Sequence, residues 1–143
     1  MSLTWIHDDA AVDWDALSDV YRIAPLGEKS PEDLAMVFGH SMFKCFVYDG
    51  DAIVGVGRAL ADGVDAAYIA DVAVHPEYQG RGLGKALIEK LVALASGHKK
   101  ILLYANPGAE GFYAKLGFHP MNTAMAIWRE PQQAIDAGIL RVG

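Results

Sequence analysis

Three closely spaced glycines, Gly80, Gly82 and Gly84, constrain the fold of this chain more than any other feature. The residues before them, 66–75, form a nearly unbroken apolar segment, which is typical of a strand covered on both faces. The residues after them, 85–96, carry leucines at helical spacing, which indicates an amphipathic helix. The pattern therefore predicts a strand, a glycine turn and a helix that follow one another directly.

A glycine turn at a helix N-terminus favours a bound phosphate group. The first N–H groups of a helix lack intrahelical partners and lie at the positive end of its dipole. The dinucleotide pattern G-x-G-x-x-G does not fit, because it needs glycine where Lys85 stands. The P-loop pattern fails as well, because it needs glycine in place of Gln79 and serine or threonine in place of Ala86. The alternatives that remain are a phosphate site of another class and a purely structural turn.

The rest of the chain predicts two opening helices, two hairpins and a second half in which strands and helices alternate. The expected helices cover 13–22, a segment that begins at Ser30 and Pro31, 109–116 and 131–140. The expected strands cover 43–48, 52–59, 66–75, 100–104 and 124–128. Hairpin strands are antiparallel, whereas strands joined through a helix are normally parallel. We therefore expect an α/β (α+β) fold, a single domain over residues 1–143 with a mixed sheet and helices on both faces.

Composition argues against several classes of function. A chain of 143 residues with 52% hydrophobic content suits one core, and its net charge of -6 argues against a nucleic-acid partner. No segment reaches the roughly 20 apolar residues that span a bilayer, and no secretion signal is recognisable, so we expect a cytoplasmic protein without a membrane partner. Cys45 is the only cysteine, which excludes an internal disulfide and argues against a thiolate metal site. We expect no metal.

Two motifs carry a resemblance to a known family. The segment AVHPEYQGRGLG, at residues 73–84, resembles the acyl-CoA-binding motif of GNAT acetyltransferases. The core of that motif, Q/R-x-x-G-x-G/A, is matched by Gln79, Gly82 and Gly84. The segment GFYAKLGF, at residues 111–118, resembles the family signature F-Y-x-x-x-G-F. The resemblance extends over roughly residues 42–128 and is closest to the plant serotonin N-acetyltransferase-like branch and its bacterial relatives.

The resemblance implies a sheet whose fourth and fifth strands splay apart, with the pantetheine arm of acetyl-CoA between them. The implied cofactor-binding residues are Val72, Ala73 and Val74 on the fourth strand, Gln79, Gly80, Arg81, Gly82, Leu83, Gly84 and Lys85 at the turn, and Asn106 and Tyr113 further along the chain. The pyrophosphate would bind the amides of residues 80–85, and Arg81 and Lys85 would add positive charge. The alternatives are a solvated helix position for Lys85 and a turn residue for Asn106.

Acetyl transfer from a thioester to an amine needs a base for the amine and a proton for the departing thiolate. Asp71 is the only charged residue between Tyr68 and Val74, and the plant-like branch has aspartate at this position. We interpret Asp71 as a base that acts through water, with a structural hydrogen-bond partner as the alternative. By resemblance, Tyr113 is the acid that protonates the thiolate, and simple packing is the alternative. His75 precedes a proline and is interpreted as a loop residue.

The predicted function is the transfer of an acetyl group from acetyl-CoA to a small primary amine by direct attack in a ternary complex. An arylalkylamine or a polyamine agrees with the branch, with the negative net charge and with the apolar side chains of Trp14, Tyr21 and Phe38. A lysine or an N-terminal amine of a protein is the competing acceptor. Two competing functions are a regulatory module that binds acetyl-CoA without transfer and a structural partner subunit that binds none. The sequence does not specify the oligomeric state and is compatible with a homodimer.

Overall fold

The structure is a computed structural model and describes residues 2–143. The strands are β1 (Leu3–Ile6), β2 (Phe43–Asp49), β3 (Ala52–Ala61), β4 (Ala66–Val74) and β5 (Lys100–Leu102). The helices are α1 (Trp14–Ile23), α2 (Pro31–Gly39), α3 (Leu83–Leu94), α4 (Glu110–Lys115) and α5 (Pro131–Asp136), with a short 3-10 helix at Pro76–Tyr78. Among the strands of the described part of the chain, the order is β1-β2-β3-β4-β5, with a parallel β4–β5 pair and antiparallel pairs elsewhere. The expected mixed sheet and α/β class are therefore confirmed.

By its contacts the chain divides into two compact units, the residues up to Leu103 and Tyr104–Gly143. The first unit holds the whole sheet and α1 to α3, and the second holds α4 and α5. The organisation of residues 1–143 as one domain stays a prediction. Within residues 2–143, no helix combines the length and the apolar character needed to cross a membrane.

Both opening helices begin where side-chain caps are available. Asp13 accepts a hydrogen bond from the backbone N–H of Ala16 at 3.1 Å, and Ser30 accepts one from the N–H of Asp33 at 3.1 Å. Each cap satisfies an N–H group that the helix itself leaves without a partner. Pro31 occupies the first position of α2, where its missing N–H costs nothing. The predicted starts of α1 and α2 are confirmed to within about one residue.

Helices cover both faces of the sheet in the first unit. Tyr21 and Phe38, from α1 and α2, belong to a buried cluster with Phe46 and Val56 of the sheet. Neighbouring residues of a strand face opposite sides, so the residues next to Val56 face the other helix layer. A Cβ atom at Gly57 would lie only 2.9 Å from a methyl group of Leu91, which shows how closely α3 approaches β3. The predicted helices on both faces are thus confirmed.

The structure differs from the sequence-based expectation at several strands. The predicted strand 124–128 is wrong: this segment forms no strand, and Met125 and Ile127 within it are 97% and 103% exposed. Ile127 and Trp128 have β-propensity, but a strand also needs a neighbour to pair with. The fifth strand ends at Leu102 rather than 104, and the edge strand β1, only four residues long, was not predicted. The C-terminal helix is confirmed over Pro131–Asp136.

Candidate functional site

The glycine turn presents uncovered backbone at the start of α3. Gly80 and Gly82 have φ values of 77° and 80°, a left-handed conformation that side chains disfavour. A Cβ atom at either glycine would meet nothing within 4 Å, so the backbone faces open space. Gly82 is the N-cap and offers no side-chain hydrogen bond, and the N–H of Ala86 bonds the carbonyl of Gly82 at 3.0 Å. The N–H groups of residues 83–85 precede that first helical bond and are suited to bind phosphate.

Positive charge lies directly beside these N–H groups. The guanidinium of Arg81 stacks over the ring of Tyr78 at 5.3 Å from its centroid. The hydroxyl of Tyr78 donates a hydrogen bond to the carboxylate of Asp49, and this bond raises the pKa of Tyr78. Lys85 is exposed in the first turn of α3. The turn, Arg81 and Lys85 together suit an anionic ligand.

The larger of the two cavities does not lie at the glycine turn. A cavity of about 230 Å³ lies beside it and is lined in part by Trp5, Tyr78 and Arg81. A larger cavity of about 450 Å³ lies near the start of α1 and is lined in part by Asp8 and Asp13, and none of the predicted site residues lines it. The chemistry of the turn therefore identifies the candidate site better than volume does.

Next to the turn, β4 has an open edge. Among the described residues, β4 pairs with β5 only from Ala66 to Tyr68, because β5 ends at Leu102. Within residues 2–143, the side of β4 that faces β5 at Ala66–Tyr68 has no strand partner from Ile69 to Val74, which agrees with the expected splay of the fourth and fifth strands.

The hydrogen bonds of β4 show which backbone groups face this open edge. The N–H of His75 donates to the carbonyl of Val54 in β3 at 2.8 Å. Because backbone groups alternate along a strand, those of Ala73 also point to β3, whereas those of Val74 point to the open edge. The side chain of Gln79 donates to the carbonyl of Val74 at 3.1 Å and so ties the glycine turn to the strand. Val74 is thus suited to pair with an extended ligand, Ala73 supports the sheet, and Val72 lies opposite Gly57 where the regular pairing is interrupted.

A bulge interrupts β4 at Asp71. Val56 of β3 pairs with Ala73 and Arg58 pairs with Ala70, so Asp71 and Val72 both lie opposite one residue, Gly57. Asp71 has a φ of 56°, and it is the only residue other than glycine with a positive φ among residues 2–143. The hydroxyl of Tyr21 donates to the carbonyl of Asp71 at 2.6 Å. Burial raises the pKa of Tyr21 well above its ordinary value, so this hydroxyl keeps its proton and remains a donor.

The carboxylate of Asp71 binds two cations. Arg58 Nε lies 2.7 Å from Oδ2, and Lys29 Nζ lies 3.4 Å from Oδ1. Arg58 also donates to the hydroxyl of Ser41 at 3.3 Å. The side chain of Asp71 is 20% exposed, so it is anchored and still reachable from solvent.

The residues that contact Asp71 were not predicted from the sequence. One signal was present for Arg58, which is the only charged residue of the apolar segment 52–61 and is expected to pair with 66–75 across a hairpin. A lone arginine in one strand and a lone aspartate in the next favour each other when both are buried. Tyr21 and Lys29 lie 50 and 42 positions from Asp71 in the chain and carry no comparable signal.

The second unit contains Tyr113 and Asn106. The ring of Tyr113 packs edge-on against Phe112 and Phe118, with centroids 5.1 and 5.9 Å away. Burial raises the pKa of Tyr113, which keeps its hydroxyl protonated at neutral pH as an acid requires. Asn106 is exposed, and its carbonyl accepts a bond from the N–H of Ala109 at 2.9 Å, a geometry that agrees with a turn residue.

The comparisons with known proteins decide the family. Residues 10–118 match the acetyltransferase (GNAT) family. The chain belongs to this family. It is therefore an acetyl-CoA-dependent N-acetyltransferase, as the two motifs and the glycine turn predicted.

Individual relatives agree with the expected branch. The chain is 36% identical over 136 residues to serotonin N-acetyltransferase 2, chloroplastic, of Oryza sativa subsp. japonica, which covers 89% of this chain and 68% of that protein. It is 35% identical over 97 residues to an uncharacterized ycf52-like N-acetyltransferase of Prochlorococcus marinus, over 62% of this chain and 54% of that protein. A solved GNAT-family acetyltransferase from Streptococcus pneumoniae TIGR4 superposes with a TM-score of 0.75 at 25% identity, covering 89% and 97% of the two chains. The chain is thus similar to the plant branch and to its bacterial relatives, and it is shorter than both curated relatives.

Proposed function

We propose that this chain transfers the acetyl group of acetyl-CoA to a small primary amine by direct attack within a ternary complex. The observation that carries the proposal is the uncapped N-terminus of α3 behind two left-handed glycines, adjoining an open strand edge. The first feature suits a pyrophosphate and the second suits an extended amide-containing chain, and acetyl-CoA contains both.

The donor would be held by groups of two kinds. The amides of residues 83–85 and the cations of Arg81 and Lys85 would bind the pyrophosphate. Val72 and Val74 would pair with the pantetheine arm. Gln79 would contribute by holding the turn against β4, where its side chain bonds the carbonyl of Val74. Gly80, Gly82 and Gly84 have no side chains, which would leave the path to the amides open.

The chemistry needs two proton transfers. The amine nitrogen attacks the thioester carbonyl carbon, the C–S bond breaks, and the amide forms. In our proposal, a water molecule carries the proton of the amine to Asp71, whose carboxylate is partly exposed at the bulge. Tyr113 gives its phenolic proton to the sulfur of the departing thiolate, and its raised pKa supports this role because the proton is retained until it is needed. Asn106 would add a hydrogen bond to the pantetheine.

A small amine is the acceptor that we favour. The rice relative is named a serotonin N-acetyltransferase, which makes an arylalkylamine the first class to test. The net charge of -6 favours a cationic acceptor over a nucleic acid by simple attraction. We further propose a cytoplasmic location, with a homodimer as the assembly to examine first. A protein amine is the main alternative acceptor.

A substrate panel tests this function. Tryptamine, spermidine and a lysine-containing peptide are compared at equal concentration with saturating acetyl-CoA, and free thiol is measured. We expect the highest kcat/KM for one of the two small amines. Acetylation of the peptide alone would contradict the small-amine assignment and leave acetyl transfer intact. Binding of acetyl-CoA without thiol release from any acceptor would favour the regulatory module.

A further inference from the structure

Lys29 places an ammonium group at the bulge of β4. It lies between α1 and α2, and its Nζ atom lies 3.4 Å from Oδ1 of Asp71 and 5.5 Å from the centroid of the Tyr21 ring. A carboxylate beside the face of an aromatic ring is an arrangement that binds primary ammonium ions, since both attract positive charge. The structure thus contains an ammonium site, formed by Asp71 Oδ1 and the Tyr21 ring, that a group of the chain itself occupies.

The other groups of this site stay in place without Lys29. Oδ2 of Asp71 is bound by Arg58 at 2.7 Å, and Arg58 is also bonded to Ser41. The hydroxyl of Tyr21 is bonded to the carbonyl of Asp71 at 2.6 Å. The carboxylate and the ring therefore keep their positions whether or not Lys29 contacts them.

The Lys29 side chain is held loosely compared with Arg58. Its 3.4 Å separation from Asp71 is longer than the roughly 2.7–2.9 Å of a charge-assisted hydrogen bond. The lysine and aspartate side chains are 30% and 20% exposed, so solvent reaches both groups of the pair. The backbone carbonyl of Lys29 is fixed by the hydroxyl of Ser18 at 2.6 Å, so the ammonium can leave by rotation of the side chain alone.

We propose that this ammonium site receives the primary ammonium group of the acceptor, and that Lys29 occupies it until the acceptor displaces it. The proposal rests on the function proposed above and assigns within it the subsite where the acceptor first binds as an ammonium ion, before water carries its proton to Asp71 and the neutral amine attacks. Lys29 then competes with the acceptor for the site. The apparent affinity for the acceptor is the intrinsic affinity multiplied by the fraction of molecules in which Lys29 has left the site. Arg58 balances the charge of Asp71 whether Lys29 or the acceptor occupies the site. The ammonium group of the acceptor replaces the ammonium group of Lys29.

Removal of Lys29 tests the proposal with butylammonium, the closest small analogue of the lysine side chain, as the probe. Calorimetry compares its binding to the wild-type chain, to Lys29→Met and to Lys99→Met, which removes an exposed lysine and changes the net charge equally. If Lys29 holds the site in nine of ten molecules, Lys29→Met lowers the Kd about tenfold, because the apparent affinity scales with the competent fraction. Lys99→Met should bind like the wild type. Lys29→Gln repeats the test with another neutral side chain, and thermal unfolding verifies that each variant is folded.

An unchanged or increased Kd in folded Lys29→Met overturns the proposal, and so does an equal decrease in Lys99→Met, which would reflect net charge alone. Kinetics with the panel amine that is acetylated most efficiently give a second readout: in Lys29→Met its KM should fall while the KM for acetyl-CoA stays within about twofold. The two hypotheses fail separately. Tighter butylammonium binding without thiol release from any acceptor contradicts the proposed function, whereas thiol release with unchanged butylammonium binding contradicts the subsite.

Discussion

The two residues proposed to transfer protons, Tyr113 and Asp71, lie in different surroundings. Tyr113 is half-buried between two aromatic rings, and burial raises its pKa. Asp71 is held by charges, with Arg58 and Lys29 on its two oxygens, and its backbone adopts a left-handed conformation. An acid benefits from keeping its proton, and a base benefits from a fixed and solvent-reachable carboxylate. The surroundings of each side chain therefore suit the role proposed for it.

Tyr113→Phe should lower kcat by about 100-fold, the lower range for loss of a general acid, and leave acetyl-CoA affinity within about twofold. Because the pKa of Tyr113 is raised above 10, the acid form persists from neutral pH to beyond that value. The contribution of Tyr113 should therefore be lost only as pH rises above 10. Single-turnover rates and calorimetry with acetyl-CoA measure the two quantities. Tyr48→Phe, on β2, is a control for the removal of a half-buried phenol. A wild-type kcat in Tyr113→Phe would reject the acid role.

Asp71→Asn should reduce the rate most near neutral pH and recover part of it at alkaline pH. The reason is that an alkylamine with a pKa near ~10 loses its proton unaided at high pH and no longer needs a base. The measurement is a pH profile of kcat/KM for the best amine of the panel. Arg58→Lys tests whether Asp71 has a structural role. Lysine keeps the positive charge next to Asp71 and changes only the contact between the two side chains. A parallel loss at every pH in Asp71→Asn would return Asp71 to a structural role.

What the sequence reveals about these residues depends on distance along the chain. Tyr113 stands inside one motif and Asp71 lies two residues before the other, so their neighbours in sequence identify them. The contacts that orient Asp71 come from Tyr21, Lys29 and Arg58, which reach it only through folding. The positive φ of Asp71 is equally hidden, since no glycine marks the position and the bulge arises from pairing with β3.

At the scale of elements, local signals predicted the boundaries that local chemistry sets. Ser30 and Pro31 start α2, and Gly82 precedes α3, as their cap and turn preferences indicate. Elements that depend on pairing were less predictable. The short edge strand β1 was not predicted, and the apolar segment 124–128 forms no strand. Strand propensity describes the fit of a side chain to a sheet surface and does not supply the neighbouring strand.

The turn before α3 should be sensitive to any side chain at Gly82. Gly82→Asn is the sharpest change, because asparagine tolerates the left-handed conformation at φ 80° and adds atoms to the space where phosphate would bind. We expect the Kd for acetyl-CoA to rise at least about tenfold, a cost of about 1.4 kcal/mol. Gly50→Asn is the matched control, since Gly50 has a φ of 60° and also has no atom within 4 Å of its ideal Cβ position. Gly82→Val should weaken binding further and also lower stability, because a β-branched residue is strained at positive φ.

Calorimetry gives these Kd values, and thermal unfolding separates the two effects. Equal acetyl-CoA affinity in folded Gly82→Asn and in the wild type would remove the glycine turn from the binding site. A similar rise in Kd for Gly50→Asn would instead indicate a general effect of asparagine at a left-handed position.

At the scale of the whole molecule, charge and ligand act together. The chain carries a net charge of -6, yet the groups expected to bind an anionic donor, Arg81 and Lys85, lie at one turn. Repulsion between the remote acidic groups and the donor is largely screened beyond the Debye length of about 8 Å at physiological salt, whereas contacts at the turn are closer than that. Local attraction should therefore prevail over net charge for acetyl-CoA.

Acetyl-CoA should accordingly stabilise the folded chain. A ligand at 100 times its Kd that binds only the folded state adds about 2.7 kcal/mol, and for a chain of this size such a gain raises Tm by roughly 5–10 °C. Thermal unfolding at increasing acetyl-CoA and fixed salt measures the shift, which should shrink in Gly82→Asn and persist in Gly50→Asn. No shift at any concentration would favour the structural partner subunit that binds no acetyl-CoA. A full shift together with absent thiol release would favour the regulatory module, because the groups proposed to bind the pyrophosphate are not those proposed to transfer protons.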